Sequence, residues 1–450
     1  VPNTSLRTEQ KPFYAGTGIS KTNEFMMKFN QFTSFILVVF SGLFVLSCGQ
    51  INTKDEGLDS KTIEEASGTS DTTTDITTTD NSTTDNSTTD NSSSSLPSFV
   101  VVGDSGAILT SSDGTTWNNK SLSNGPSFTA ITSGNNILLV AGSTGVVTST
   151  DGSTWTSRNP GFTPEPHTLR FGKNLFVMTS STDLYSSPDG ITWTKRHTPS
   201  NVSHIMGISF TNDTFFVYSD NLSHSHTNPA SMSYFYSSGR VNCKGNLAIS
   251  TDGLSWSDVS WGLKPISTIS YLNDRYIAVG GADCITFFVA SSTGGTTWTT
   301  KTYSGGGSAV AEYLAYGNST FVTVGGYRPS GNIVVTSGNG NSWTSTTTFL
   351  SGENNRNPSG LIFENNIFVS HDGFGGIGWS DNGSNWSQAT LAGLGAGNTL
   401  KDLIHANNLM LAVGESGAIL ISSDGKTWSG QSSGTSANLN KAWGSGTMKN

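Results

Sequence analysis

The chain has 450 residues and a formal net charge of −9. The acid is not spread evenly: residues 49–98 hold ten acidic residues against two lysines, so the remainder is close to neutral. A basic nucleic-acid-binding face is therefore excluded, and the Gly, Ser, Thr and Asn that dominate beyond residue 98 point to short strands and many turns.

Taken in chain order, residues 1–25 fit no export pattern and read as an extension of the gene model ahead of Met26 and Met27. Residues 26–47 have the order of a signal peptide, with Lys28, an apolar run from Phe35 to Leu46, and a small residue at the cut. That run is short for a membrane span. The block Val45-Leu46-Ser47-Cys48 resembles a bacterial lipobox, which implies lipidation at Cys48 and anchoring of an exported chain in the cell envelope. Gly49, with no Asp in that place, points by analogy with other bacterial lipoproteins to the outer membrane. Residues 48–98 contain no aromatic side chain and include the near-repeat TTDNSTTDNSTTDNSSSS. Such a segment cannot bury enough apolar surface to offset its ordering entropy and reads as a disordered tether. About fifty residues of random coil reach ~40 Å, enough to hold a domain clear of a membrane.

From residue 99 to 450 one phrase recurs eight times: SSDGTTW, STDGSTW, SPDGITW, STDGLSW, SSTGGTTW, SGNGNSW, SDNGSNW and SSDGKTW, ending at Trp117, Trp155, Trp193, Trp256, Trp298, Trp343, Trp386 and Trp428. Each unit of about forty residues reads as four short strands, the grammar of a propeller blade. The segment SFVVVGDSG (98–106) matches the second strand of a unit, and NLNKAWGSG (438–446) matches a first strand. The two orphans complete one blade and close the ring. The expected fold is all-β: an eight-bladed β-propeller of four-stranded antiparallel blades, the last strand closing the first, with residues 219–245 as an insertion in blade four. A monomer is expected.

The repeated phrase resembles the Asp-box of BNR-repeat propellers, which include sialidases, the sortilin family and photosystem-assembly-factor-like proteins. By that resemblance it is the turn between the third and fourth strands of a blade. The acid is Asp113, Asp151, Asp189, Asp252 and Asp424 in five copies, Asn339 and Asn382 in two, and absent from the copy ending at Trp298. A carboxylate that Asn replaces freely is a backbone acceptor, not a catalyst or a metal ligand. Sialidases of this pattern use three arginines, a Tyr nucleophile with a Glu partner and an Asp acid. No Arg-Ile-Pro segment precedes the first box here, and Tyr327-Arg328-Pro329 is a poor echo in the wrong place. A sialidase-like glycosidase is thus the least favoured reading, and no catalytic residue or cofactor is assigned.

The opposite face carries the loops between strands two and three and between blades. Tyr234 and Tyr236 of the insertion, with Trp261, Tyr303, Tyr327, Arg328, His371 and Phe374, are candidates to contact a protein or glycan ligand there. An envelope assembly or folding role is the second reading. His224-x-His226 lacks a nameable third ligand, so no metal site is assigned, and Cys243 and Cys284 are candidates for a disulfide pinning the insertion.

Overall fold

A computed structural model describes residues 95–220, 245–262, 265–282, 286–304, 308–328, 331–346, 358–372, 374–393 and 398–446. Cys48 and residues 48–94 of the expected tether, Tyr234 and Tyr236, and Cys243 and Cys284 all lie outside the described residues.

Among the described residues, thirty-three strands form eight sheets. In chain order the innermost strands of blades two to eight are Ala130–Gly134, Glu165–Gly172, His204–Thr211, Ile266–Leu272, Ser308–Gly317, Ile362–Glu364 and Leu400–Ala406. Blade one takes its innermost strand from the far end of the chain, Leu439–Gly444. That strand pairs antiparallel with Phe99–Gly103, with Val100 opposite Trp443 and Val101 opposite Ala442. Each innermost strand touches the next around the whole ring, including blade eight to blade one and blade one to blade two. The chain is an eight-bladed β-propeller closed by its own last strand.

Closure follows from where the apolar side chains go. Strand two of each blade is apolar on both sides, as in Phe99–Gly103 or Ile137–Gly142, because both faces of a blade are covered by neighbours. The core is accordingly divided into eight clusters, each shared by two adjacent blades. One joins Val100, Val102 and Ile108 of blade one to Leu138 and Val140 of blade two. Another joins Leu411 and Val413 of blade eight to Leu109 and Ala442 of blade one. No blade buries its faces alone, so the ring forms as a unit. Leu96 packs against the first of these clusters, so the packed chain begins slightly before residue 99.

Blade eight departs from the expected four strands. Thr390–Ala392 leaves blade seven and pairs in parallel with the outer strand Thr427–Gln431 of blade eight, with Leu391 opposite Trp428. Among the described residues, the other blades have no fifth strand on this edge, and Trp428 beneath it is fully buried.

The eight boxes are one hairpin built eight times. In blade one, Ser111 Oγ accepts from Gly114 N at 2.8 Å, and Asp113 Oδ1 accepts from Thr115 N and Thr116 N, both at 2.8 Å. Trp117 Nε1 donates to Gly114 O at 3.0 Å. Gly114 sits at φ 77°, which favours glycine. Asn339 reproduces the two acceptor bonds at 2.9 and 2.8 Å, and Asn382 at 2.9 and 2.9 Å. The copy without an acid keeps the other two bonds, Gly295 N to Ser292 Oγ and Trp298 Nε1 to Gly295 O.

Candidate functional site

In a four-stranded antiparallel blade the turns between strands one and two share an end with the boxes. On that face the connections have one geometry. Pairs such as Asn135-Asn136, Asn273-Asp274 and Asn407-Asn408 take positive φ at both positions, the tight turn that suits twisted strands. In several of these turns the first Asn reaches the next blade: Asn135 Nδ2 donates to Asn174 O at 3.1 Å and to Pro188 O at 2.8 Å, and Asn407 Nδ2 to Ser98 O at 3.3 Å. The box face is thus a self-satisfied lattice of backbone hydrogen bonds. Hydrogen bonds from the backbone N–H groups of Ser255 and Leu254 hold the Asp252 carboxyl down at about 2, against the opposing effect of desolvation. These acids are structural acceptors.

The other face is irregular. Ser143 and Thr144 alone link strands two and three of blade two, whereas residues 221–244 intervene in blade four. In blade seven Asp372 is fully buried, and its Oδ1 accepts from Phe374 N and Gly376 N, both at 2.8 Å. That turn holds Phe374 outward, 58% exposed.

The proposed contact residues do not all share this fate. Trp261 is only 6% exposed; it packs on Trp298 and Phe288 in the core between blades four and five. It follows an outer strand and folds inward because the aromatic cluster there can absorb it. His371 is fully buried at the end of strand two of blade seven. Burial pushes its ring down to about 4, partly countered by the carboxylates of Asp402 and Asp372. Tyr303 is half-buried, stacked on Phe287 at 4.9 Å, and its hydroxyl donates to Trp343 O. Tyr327 and Arg328 end the strand Thr320–Arg328, paired with Ala309 and Ser308. Trp261 and His371 are therefore packing residues. Among the candidates whose side chains are described, Phe374 is the exposed one.

Sequence reading missed what the innermost strands do near this face. Each enters from the irregular face, and in most blades its register slips within a few residues. The slips fall between Ile205 and Gly207, Ile266 and Thr268, Ala311 and Tyr313, and Leu400 and Asp402. In blade one the slip leaves Asn440 unpaired, and in blade three the irregularity runs from Glu165 to Arg170. A bulge re-aims the extra residue and bends its strand. Here the extra residues include Glu312, Lys401 and Asn440, so polar groups collect around the axis. Burial pushes the Glu312 carboxyl up to about 7. Asp402 accepts from Lys441 Nζ at 3.0 Å and Ala442 N at 2.9 Å, tying blade eight to blade one. Asp104 accepts from Asn438 and Asn440 at 2.9 and 2.8 Å.

On the same rim, blades three and four bring together Glu165, His167 and His204. Ligand atoms from all three lie within 4.8 Å of one another. His167 Nδ1 is 3.7 Å from Glu165 Oε2, and the two imidazoles lie 6.3 Å apart at an interplanar angle of 23°. Burial pushes the His167 ring down to about 4, with His204 acting the same way, the Ile205 backbone opposing and Arg170 adding to the fall. Burial raises the Glu165 carboxyl. No motif marks this trio, because two of its members come from one blade and the third from the next.

The fold and the two unlike faces define a β-propeller with a constant face and a variable one. Residues 129–238 match the family model described as the DUF6242 beta propeller domain. No curated protein matches the chain. Among solved structures it is similar to YCF48 bound to D1 peptide, at 17% identity, covering 59% of this chain and 81% of that one with a TM-score of 0.39. It is similar to BamB from Moraxella catarrhalis at 11% identity, covering 74% and 91%, TM-score 0.46. It is also similar to apo AztD from Citrobacter koseri at 10% identity, covering 78% and 98%, TM-score 0.49. The propeller assignment stands on the sheets and their register alone.

Proposed function

We propose that the chain is a lipid-anchored, non-catalytic propeller of the bacterial envelope that binds a protein or glycan through its irregular face. One observation carries the binding reading: the asymmetry between the faces. The box face repeats two turn geometries and satisfies its polar groups internally, as in Asp113 and Asn135. The opposite face varies in loop length, displays Phe374 on a turn clamped by Asp372, and gathers polar bulge residues at the axis. A rigid scaffold with variable loops is the arrangement that recognition surfaces use. The anchor rests on the lipobox-like block ending at Cys48 and on the acidic tether behind it. Among the described residues no helix is long and apolar enough to cross a membrane.

The test is binding of the purified chain, from Gly49 onward, to arrays of glycans and envelope or matrix proteins. Phe374→Ser and a replacement of residues 221–244 by a short Gly-Ser turn would serve as variants. Binding that falls in either variant supports the reading. A folded chain that binds nothing, or whose binding ignores both changes, overturns it. Metabolic labelling with a fatty-acid analogue, lost in Cys48→Ala, tests the anchor separately.

A further inference from the structure

Beyond the binding face, one cluster on the axis rim contains a buried imidazole nitrogen, His167 Nε2, that hydrogen bonding within the protein leaves unused. We propose that Glu165, His167 and His204 form a binding site for a single divalent transition-metal ion of the Zn²⁺ type, with one coordination position open toward the irregular face.

The donor set is the first argument. Two imidazoles and a carboxylate are the ligands such an ion takes, three from the protein with a fourth position left to water or a ligand. The second is placement. Glu165 and His204 are the first residues of adjacent innermost strands, and His167 lies in the register irregularity beside Glu165. The site is held by backbone ladders on two blades, not by a loop tip.

The third argument is an unmet atom. His167 Nε2 is shut off from solvent and has no hydrogen-bond partner. Leaving a buried polar atom unpaired costs on the order of 1–3 kcal/mol, which a metal bond would remove.

Geometry needs a modest closure. A tetrahedral ion with bonds of about 2.0–2.1 Å requires donors about 3.4 Å apart. His167 Nδ1 is 3.7 Å from Glu165 Oε2, and one donor atom from each of the three residues falls within 4.8 Å of the others, so small side-chain rotations that present the chosen imidazole nitrogens complete the set. Arg170 works against a cation here. Its guanidinium is turned to the backbone, donating to Leu169 O at 2.7 Å and His167 O at 3.4 Å, and Glu165 supplies the compensating charge.

The experiment is Zn²⁺ titration of the full purified chain, stripped with a chelator, in competition with a chromophoric chelator. The expected result is one tightly held ion per chain and a raised unfolding temperature. His167→Ala and His204→Ala should each weaken the ion at least about a hundredfold, the upper end of what loss of a mere orienting partner costs. Glu165→Gln should weaken it as well. His204→Gln stands in if the alanine variant loses its cooperative unfolding transition. An unmetallated wild type overturns the site, as do variants that hold Zn²⁺ as tightly as wild type. Loss that follows His224→Ala with His226→Ala, and not the three residues named, overturns it too.

Discussion

Replacing Asp189 in the third box separates the two roles a repeated acid could have. Its Oδ1 accepts from Ile191 N at 2.8 Å and Thr192 N at 2.9 Å, and Ser187 Oγ donates to it at 2.9 Å. Asp189→Asn keeps an acceptor in the same place, as Asn339 and Asn382 do in blades six and seven. It should leave stability within about 0.5 kcal/mol of wild type at neutral pH. Asp189→Ala removes the acceptor from two N–H groups that water can only partly replace. Each lost bond is worth about 0.5–1.5 kcal/mol, so the two together cost about 1–3 kcal/mol. In a domain of this size that lowers the unfolding temperature by about 1–3 °C, measurable by scanning calorimetry. Acid adds a second distinction. Hydrogen bonding holds the Asp189 carboxyl below its ordinary value, against the opposing effect of desolvation. A depressed carboxylate stabilises the fold above its unfolded pKa, and the contribution disappears as pH falls through the folded value. Asp189→Asn should therefore lose less stability than wild type below about pH 4. If Asp189→Asn proves as damaging as Asp189→Ala at neutral pH, the charge itself matters and the structural account of the box is refuted.

Trp428→Ala, at a fully buried box tryptophan beneath the fifth strand, should cost about 3–5 kcal/mol, and Trp193→Ala, at a half-buried one, distinctly less; calorimetry on both checks the order. Gly103→Ala would place a methyl carbon 1.9 Å from Asn438 O at the closure of the ring and should cost about 1–3 kcal/mol or more, read as an earlier urea midpoint. His371 and Glu312 should tilt the stability curve in opposite senses between about pH 4.5 and 6.5. The His371 ring is pushed down to about 4, so the unfolded chain takes the proton first and stability falls on acidification. The Glu312 carboxyl is pushed up to about 7, so the folded chain keeps the proton and stability falls as pH rises. His371→Gln should flatten the acid-side loss and Glu312→Gln should steepen it; identical slopes in the two variants would contradict the burial of either group.

The box could be recognised from residues alone because everything it needs lies within seven positions. Ser111, Asp113, Gly114 and Trp117 satisfy one another locally, so the phrase survives in any blade. The orphan strands at the two ends were equally legible, since each matches a missing piece of the same unit. Burial was not. Trp261 and His371 read as loop residues and are core, because the neighbouring blade decides whether such a side chain has somewhere to go. The parallel fifth strand on blade eight follows from chain leaving blade seven along an edge that exists only once blade eight has formed.

Periodicity and turn chemistry, both local in the chain, thus determined that this protein repeats a four-stranded unit eight times and closes on itself. Tertiary structure alone decided which polar groups meet at the axis. Glu165 and His167 reach His204 only when two innermost strands stand side by side, and register slips in those strands set where the side chains point. Neither juxtaposition is written in any single unit of the repeat.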